Sequence, residues 1–315
     1  MIEMKKWGWL IAVVSIVFLM TACNSESSAD QKTEKSEYKI GMTQLVEHPS
    51  LNAASEGFKK AFEDADVDVE FIEQNAQNDH SLNATIANNF VSDQVDLIFA
   101  NSTPSAQAVA NETTEIPIVF TSVTDAEAAQ LVESHEAPGR NVTGTLDNHP
   151  EAINKAVTYV VNELDAKKIG MIFNSGEQNS RAQVDEAKKQ AETLGAEIVE
   201  ASVSASSEVQ QAAESLVGKV DAFYIITDNT VVSAMESVIS VANDNKLPLM
   251  AGEVDSVERG ALAAYGFDFY DIGYQAGEMA VDILVNGKDP ATMPVEAPKK
   301  LELVVNEETK ALLEE

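Results

Sequence analysis

The tetrapeptide Lys39-Ile40-Gly41-Met42 returns as Lys168-Ile169-Gly170-Met171, and the return is part of a longer echo. Asp96-Leu97-Ile98-Phe99 is matched by Asp221-Ala222-Phe223-Tyr224, and Ile116-Pro117-Ile118-Val119 by Leu247-Pro248-Leu249-Met250. A polar loop follows the second pair in each half: Ser102-Thr103-Pro104-Ser105 and Thr227-Asp228-Asn229-Thr230. Offsets that drift by a few residues are those of loop insertions. The chain therefore reads as two similar halves in tandem, and two halves side by side enclose a cleft suited to a small ligand.

Each half alternates short β-rich runs with amphipathic stretches of helical length. Strand runs fall at 38–43, 68–72, 96–100, 117–120 and 142–145, and again at 168–173, 197–201, 221–226, 248–251 and 261–265. Runs such as Asp96-Leu97-Ile98-Phe99-Ala100 are continuously apolar, as parallel strands covered on both faces are. Alternation over the whole chain predicts two doubly wound parallel-sheet α/β lobes. In 229–243, Val231, Val232, Met235, Val238, Ile239 and Ala242 form one apolar stripe at helical spacing.

A helical segment near 270–286 and a strand near 301–305 come after the second half is complete, separated by Pro290, Pro294 and Pro298. The simplest account is a hinge of three crossovers, near 146–149, 265–268 and 290–299. The N-terminal lobe is then 38–146 plus about 267–290, and the C-terminal lobe 147–266 plus about 299–315. Gly273 and Gly277 are spaced for close helix packing, and equally suit an exposed helix that tolerates them.

Residues 1–22 are a different object. Lys5 and Lys6 precede an apolar run, Leu10 to Met20, which is short for a membrane span and fits a secretory signal. Met20-Thr21-Ala22-Cys23 resembles a bacterial lipobox, in which cleavage leaves a lipidated Cys23. The alternative is a retained membrane anchor with an incidental cysteine. Met1 and Met4 both open the signal plausibly. Residues 23–37 carry no large apolar side chain and predict a flexible tether. With one cysteine in the chain there is no internal disulfide. The 52 acidic against 21 basic residues, a net charge of −31, repel nucleic acid. The acids are dispersed, so they read as a solvated coat rather than a cation store.

In open parallel sheets, ligands bind beyond the carboxyl ends of the strands. That rule selects Gln44, Glu47, His48, Ser102, Thr103, Ser105, Thr121, Ser122, Thr124 and Asp125 in the first half. In the second it selects Asn174, Glu177, Asn179, Thr227, Asp228, Asn229, Thr230, Glu253 and Asp255. A helix start at Pro104 with the Ser102 and Ser105 hydroxyls suits a ligand carboxylate, and Asp228, with Glu253 next in order, suits an ammonium. An α-amino acid needs both. Ser102, Ser105, Thr227, Asp228 and Asn229 are equally good helix N-caps. His48, before Pro49, reads as a lining residue rather than a catalyst, because no second group completes a nucleophile–base pair. Gly-x-Ser-x-Gly, the phosphate-binding Gly-x-x-x-x-Gly-Lys-Ser/Thr and a dinucleotide fingerprint after the first strand are missing. His48, His80, His135 and His149 lack metal-ligand spacing. No enzyme, metal or cofactor is expected.

Thr43-Gln44-Leu45-Val46-Glu47-His48-Pro49, Thr103-Pro104-Ser105-Ala106-Gln107-Ala108 and Phe120-Thr121-Ser122-Val123-Thr124-Asp125 resemble the ABC-transporter substrate-binding lipoproteins of the tryptophan/tyrosine type. So do Thr227-Asp228-Asn229-Thr230-Val231, Ser207-Glu208-Val209-Gln210-Gln211-Ala212 and Val257-Glu258-Arg259-Gly260-Ala261-Leu262. The resemblance runs from about Tyr38 to Val305. It implies a periplasmic-binding-protein-like type I fold, closure on a small ligand such as tryptophan or tyrosine, and delivery to an ABC permease with its cytoplasmic ATPase. It also implies a monomer held by lipid on the outer face of the cell membrane. A sensor that reports its ligand to a membrane signalling partner, or an enzyme that uses the cleft, are the other classes. Neighbouring permease and ATPase genes, a neighbouring histidine kinase, or turnover of a bound compound would separate the three.

Overall fold

The computed structural model describes residues 37–314. The signal segment, Cys23 and nearly all of the tether lie outside the described residues. Among the described residues, no helix is long and apolar enough to cross a membrane.

The N-terminal lobe holds β1 (Tyr38–Gln44), α1 (Pro49–Asp64), β2 (Val69–Asn75), α2 (His80–Ser92) and β3 (Leu97–Asn101). It continues with α3 (Thr103–Glu112), β4 (Ile118–Val123) and β5 (Val142–Leu146). The C-terminal lobe begins with α4 (Ala152–Asn162), β6 (Lys168–Asn174), α5 (Gln178–Thr193), β7 (Glu197–Val203) and α6 (Val209–Leu216). It continues with β8 (Ala222–Ile225), α7 (Asn229–Val232), α8 (Met235–Asp244), β9 (Leu249–Ala251), α9 (Asp255–Arg259) and β10 (Ala263–Gly266). The chain then returns to the first lobe for α10 (Phe269–Leu284), and ends in the second with β11 (Glu302–Val305) and α11 (Glu307–Glu314).

Both sheets are wound alike. The first has the order β2-β1-β3-β4-β5, and the second β11-β10-β9-β8-β6-β7, all parallel except β11, which runs antiparallel to β10. The repeated sequence is repeated hardware. In the first lobe the Asp96 carboxylate accepts from the Lys39 backbone N–H at 2.7 Å, while Asp96 N–H donates to the Lys39 carbonyl. In the second, Asp221 does the same to Lys168, at 2.8 Å for each bond. Each aspartate bolts the start of the third strand of its half to the start of the first.

Successive side chains of a strand point to opposite faces, so a continuous apolar run serves two cores. Leu97 and Phe99 pack with Phe58, Phe62, Ala276 and Met279 beneath α1 and α10. Ile98 and Ala100 pack with Ile86, Phe90, Ala106 and Val109 beneath α2 and α3. In the C-terminal lobe, α4 and α5 cover one face and α6, α7 and α8 the other.

The glycines of α10 take the close-packing role. A Cβ at Gly273 would lie 1.9 Å from the Ala54 carbonyl oxygen of α1, and one at Gly277 would lie 2.5 Å from that of Phe58. Facing them, a Cβ on Gly57 would lie 2.1 Å from the Tyr270 oxygen.

Two expectations change. The stripe at 229–243 is two helices, broken at Ser233 and Ala234. Val231, Val232, Met235, Val238 and Ile239 nevertheless reach one core. The third passage between lobes falls at the end of the expected 290–299 stretch and just beyond it. Residues 293–296 still belong to the first sheet, through Thr143 Oγ1 donating to the Met293 carbonyl at 2.8 Å and Leu146 N–H to that of Glu296 at 2.8 Å. A parallel bridge joins Thr145 to Glu296, so the chain crosses at 297–301, after crossing at 147–151 and 267–268.

Candidate functional site

The carboxyl ends of both sheets meet in a buried polar seam. Hydrogen bonds span it at separate points. Asn78 and Thr230 pair at 3.1 Å, the Ser50 hydroxyl donates to Glu253 at 3.2 Å, and Gln183 Nε2 donates to Thr124 Oγ1 at 3.4 Å. His48 sits beside Asn229 across the same seam, and its Nδ1 accepts from Leu51 N–H at 3.5 Å to start α1. Burial first, then the charge of Arg259, pushes the His48 imidazole down to about 3, so it is neutral near pH 7. The lobes are therefore in contact across the seam.

On the N-terminal side, Ser102 lies at φ 104° and ψ 154°, a region that glycine favours, and Ser122 has φ 55°. Strain of this kind costs about 1–3 kcal/mol and gathers at binding sites. Ser102 does not cap α3; its hydroxyl reaches Ser105 at 3.3 Å. The hydroxyls of Thr43, Thr103 and Ser122 are buried without a partner. Thr121 accepts from Thr145 at 2.8 Å. The start of α3, with Pro104 in its first turn, leaves backbone N–H groups free beside the hydroxyls of Ser102, Thr103 and Ser105.

The C-terminal side is a closed network. Asp228 is fully buried. It accepts from Asn174 N–H at 2.6 Å, Ser180 Oγ at 2.7 Å and Val231 N–H at 2.8 Å, the last capping α7. Glu177 accepts from Asn229 Nδ2 at 2.6 Å and Thr230 Oγ1 at 2.8 Å. Burial, and next the Glu177 carboxylate, hold the Asp228 carboxyl above the usual range. Thr227 donates through its hydroxyl to Gln183 at 3.0 Å, and Asn179 Nδ2 donates to the Thr227 carbonyl at 3.3 Å while its Oδ1 has no partner. Glu253 is buried and also takes the backbone and hydroxyl of Ser256. Burial chiefly raises its carboxyl and that of Asp255, which faces Ser50.

Three of the residues chosen from sequence lie elsewhere. Gln44 is spent on α1, accepting from Ser55 at 3.2 Å and donating to Asn52 at 3.0 Å. It lines an open groove of about 380 Å³ with Glu47, which is exposed because the turn into Pro49 buries its neighbours Leu45 and His48 instead. Asp125 caps its own turn, accepting from Glu127 and Ala128 N–H at 3.0 Å each, and faces His135 at 3.7 Å.

Sequence reasoning missed Thr43, Ser50, Asn78, Gln183 and Asp147. Thr43 adjoins a chosen residue, and Ser180 closes the 174–180 loop that the strand-end rule reaches. Ser50, Asn78 and Gln183 sit within helices or a turn and become partners only when the lobes meet. Asp147 follows β5 on the first crossover, where its N–H donates to the Val123 carbonyl at 3.0 Å. Its Oδ1 is buried without a partner, and burial pushes its carboxyl up to about 7. Among the described residues no three acids, histidines or cysteines are grouped to hold a metal ion.

The seam thus sets a strained, hydroxyl-rich start of α3 on one lobe against buried acids on the other. The model of the family described as ABC transporter substrate binding protein matches residues 39–314. A tyrosine-binding protein of Clostridioides difficile is 46% identical over 98% of this chain and 92% of its own length. A Streptococcus pneumoniae ABC domain in complex with L-Trp is 32% identical, with a TM-score of 0.84 over 89% of this chain and 95% of its own. A ligand-free, open substrate-binding protein with adhesive properties from Clostridium difficile is 44% identical, with a TM-score of 0.65 over 88% and 95%.

Proposed function

This chain belongs to the ABC transporter substrate-binding protein family, and on that premise we propose that it is the extracytoplasmic lipoprotein of an importer, binding tyrosine or tryptophan by closing its lobes. The family is one of binding proteins, not enzymes. The observation that carries the ligand class is the seam itself: unpartnered hydroxyls of Thr103 at the start of α3 and of Ser122 at the end of β4, with buried carboxylates on the other lobe. Buried polar groups are ordinarily paired, and an unmade bond costs about 1–3 kcal/mol. A carboxylate fits the hydroxyls and free N–H groups, and an ammonium fits an acid. The names of the clostridial relative and the pneumococcal complex support an aromatic side chain.

Closure is supported in two ways. Bonds from Asn78, Ser50 and Thr124 already cross the seam. The likeness to the tryptophan-bound structure is higher than to the open one, 0.84 against 0.65, although the open protein is nearer in sequence, 44% against 32%. Two arrangements of the same lobes account for that inversion. The Met20-Thr21-Ala22-Cys23 motif supports lipid attachment at Cys23, and with it residence on the outer face of the membrane.

The test is a melting-temperature screen of the chain beginning after Cys23 against the twenty amino acids. A ligand at a hundred times its Kd adds about 2.7 kcal/mol to stability. Tyrosine and tryptophan should raise the midpoint, and their D-enantiomers should not. A chain indifferent to every amino acid would end this reading.

A further inference from the structure

We infer that Asp147, on the first crossover, receives the ligand's α-ammonium, and that Asp228 positions the C-terminal loops without touching the ligand; this rests on the amino-acid reading above.

The acids of the seam differ in what they already hold. Asp228 accepts three short bonds from its own lobe, at 2.6, 2.7 and 2.8 Å. Glu177 is filled by Asn229 and Thr230, and Glu253 by Ser50 and Ser256. Asp255 keeps an open oxygen, yet it is only half-buried and feels the positive charge of Arg259. Asp147 alone of these combines burial of nine-tenths or more with an oxygen lacking any donor and no cation nearby among the described residues. A carboxylate in that position is costly until a positive partner arrives.

Its place suits such a partner. The bond from Asp147 N–H to the Val123 carbonyl holds it beside Ser122, whose hydroxyl is also unpartnered. The Thr124 hydroxyl lies at its carboxyl and accepts from Gln183, which in turn holds Thr227. Asp147 thus touches the chain of bonds that joins the lobes, and does so from a hinge segment. An ammonium there would engage the acid when Gln183 and Thr124 meet, coupling the charge of the ligand to closure. Its carboxylate would point to Thr103, Ser122 and the start of α3.

Calorimetric titration with L-tyrosine and L-tryptophan and with their desamino analogues, 3-(4-hydroxyphenyl)propionate and 3-indolepropionate, tests this. The wild type should prefer the amino acid by at least about thirty-fold, the ratio that corresponds to ~2 kcal/mol. Asp147→Asn should abolish that preference, losing affinity for the amino acid while holding the analogue within about threefold. Asp228→Asn should keep the preference. Asp147→Ser is read in the same way, and binding of the analogue certifies the fold of each variant. Retained preference in both Asp147 variants, its loss in Asp228→Asn alone, or a folded Asp147 variant that binds neither compound overturns the assignment. A wild type that binds analogue and amino acid equally overturns it while leaving the aromatic reading intact, and a wild type that binds none of the four removes both.

Discussion

Gly273→Ala is the substitution whose cost can be read most directly from the packing of α1 on α10. The new methyl carbon would lie 1.9 Å from the Ala54 carbonyl oxygen, 2.5 Å from its carbonyl carbon and 2.6 Å from its Cα. All three are backbone atoms, so no rotamer change relieves the clash. Ordinary contact begins at 3.4 Å, and the helices would have to part by about 1.5 Å in an interior packed like a crystal. Parting them loosens Ala54, Phe269 and Ile272 on one side and Phe58, Ala276 and Met279 on the other. Overpacking of this kind costs ~1–3 kcal/mol, and backbone against backbone belongs at the upper end. Alanine recovers about 1 kcal/mol of helix propensity over glycine, which leaves a net loss of ~2 kcal/mol. For a chain of this size that is about 4–8 °C in melting temperature. Scanning calorimetry of the unliganded protein measures it, with Glu278→Ala on the exposed side of α10 as the control. A Gly273→Ala variant as stable as wild type, or more so, would show that propensity outweighs contact and refute the reasoning.

Other outcomes follow from the seam and its flanks. Asp147 has its pKa raised from 3.8 to about 7 in the folded chain, so the folded state holds a proton that the unfolded state releases between these values. That contribution lowers stability as pH rises through the window, and Asp147→Asn should gain on wild type in unliganded melting temperature from pH 5 to pH 7.5; a difference that is flat with pH would contradict the burial argument. His48 works in the opposite sense, its pKa lowered from 6.5 to about 3, so its neutral burial loses stability as pH falls below 6.5. His48→Gln should therefore gain on wild type on acidification, again by melting temperature. Ser102→Gly should relieve about 1–3 kcal/mol of strain while weakening ligand binding; a variant that is no more stable means that the φ of 104° carries no strain. Small-angle scattering should give a smaller radius of gyration with tyrosine or tryptophan, and superimposable profiles would count against closure. Cys23→Ala should release the protein from the membrane fraction or block its processing, and unchanged retention would exclude lipid at that residue.

Much of the fold is legible because the constraints are local. Asp96 and Asp221 repeat in sequence because each makes the same bolt between strand starts. The apolar runs announce parallel strands because every side chain of Leu97 to Ala100 is buried. The break at Ser233 is illegible because Val231 and Met235 keep helical spacing and enter the same core on either side of it. The start of α7 is anchored to the seam by Asp228 and Glu177, a tertiary contact with no local signature. The strand-end rule reaches Ser102, Thr103, Ser122 and Asp228, all buried at the seam, but it also reaches Glu47 and Asp125, which turn outward. Asp147 follows β5 and so lies at a strand end too, but 146–149 reads in sequence only as a crossover, and the lack of a partner for Asp147 exists only in three dimensions.

The return of the chain to its first lobe sets an order of events during synthesis. The apolar face formed by Ile40, Met42, Phe58, Phe62, Leu97 and Phe99 is not covered until α10 ends at Leu284. At ordinary elongation rates of about 5–20 residues per second, the ribosome needs on the order of ten seconds to pass from β5 to that point. Throughout that interval the second lobe emerges in all but β11 and α11 while the first still lacks its cover. The first lobe therefore closes its own core only after the chain has built most of its neighbour.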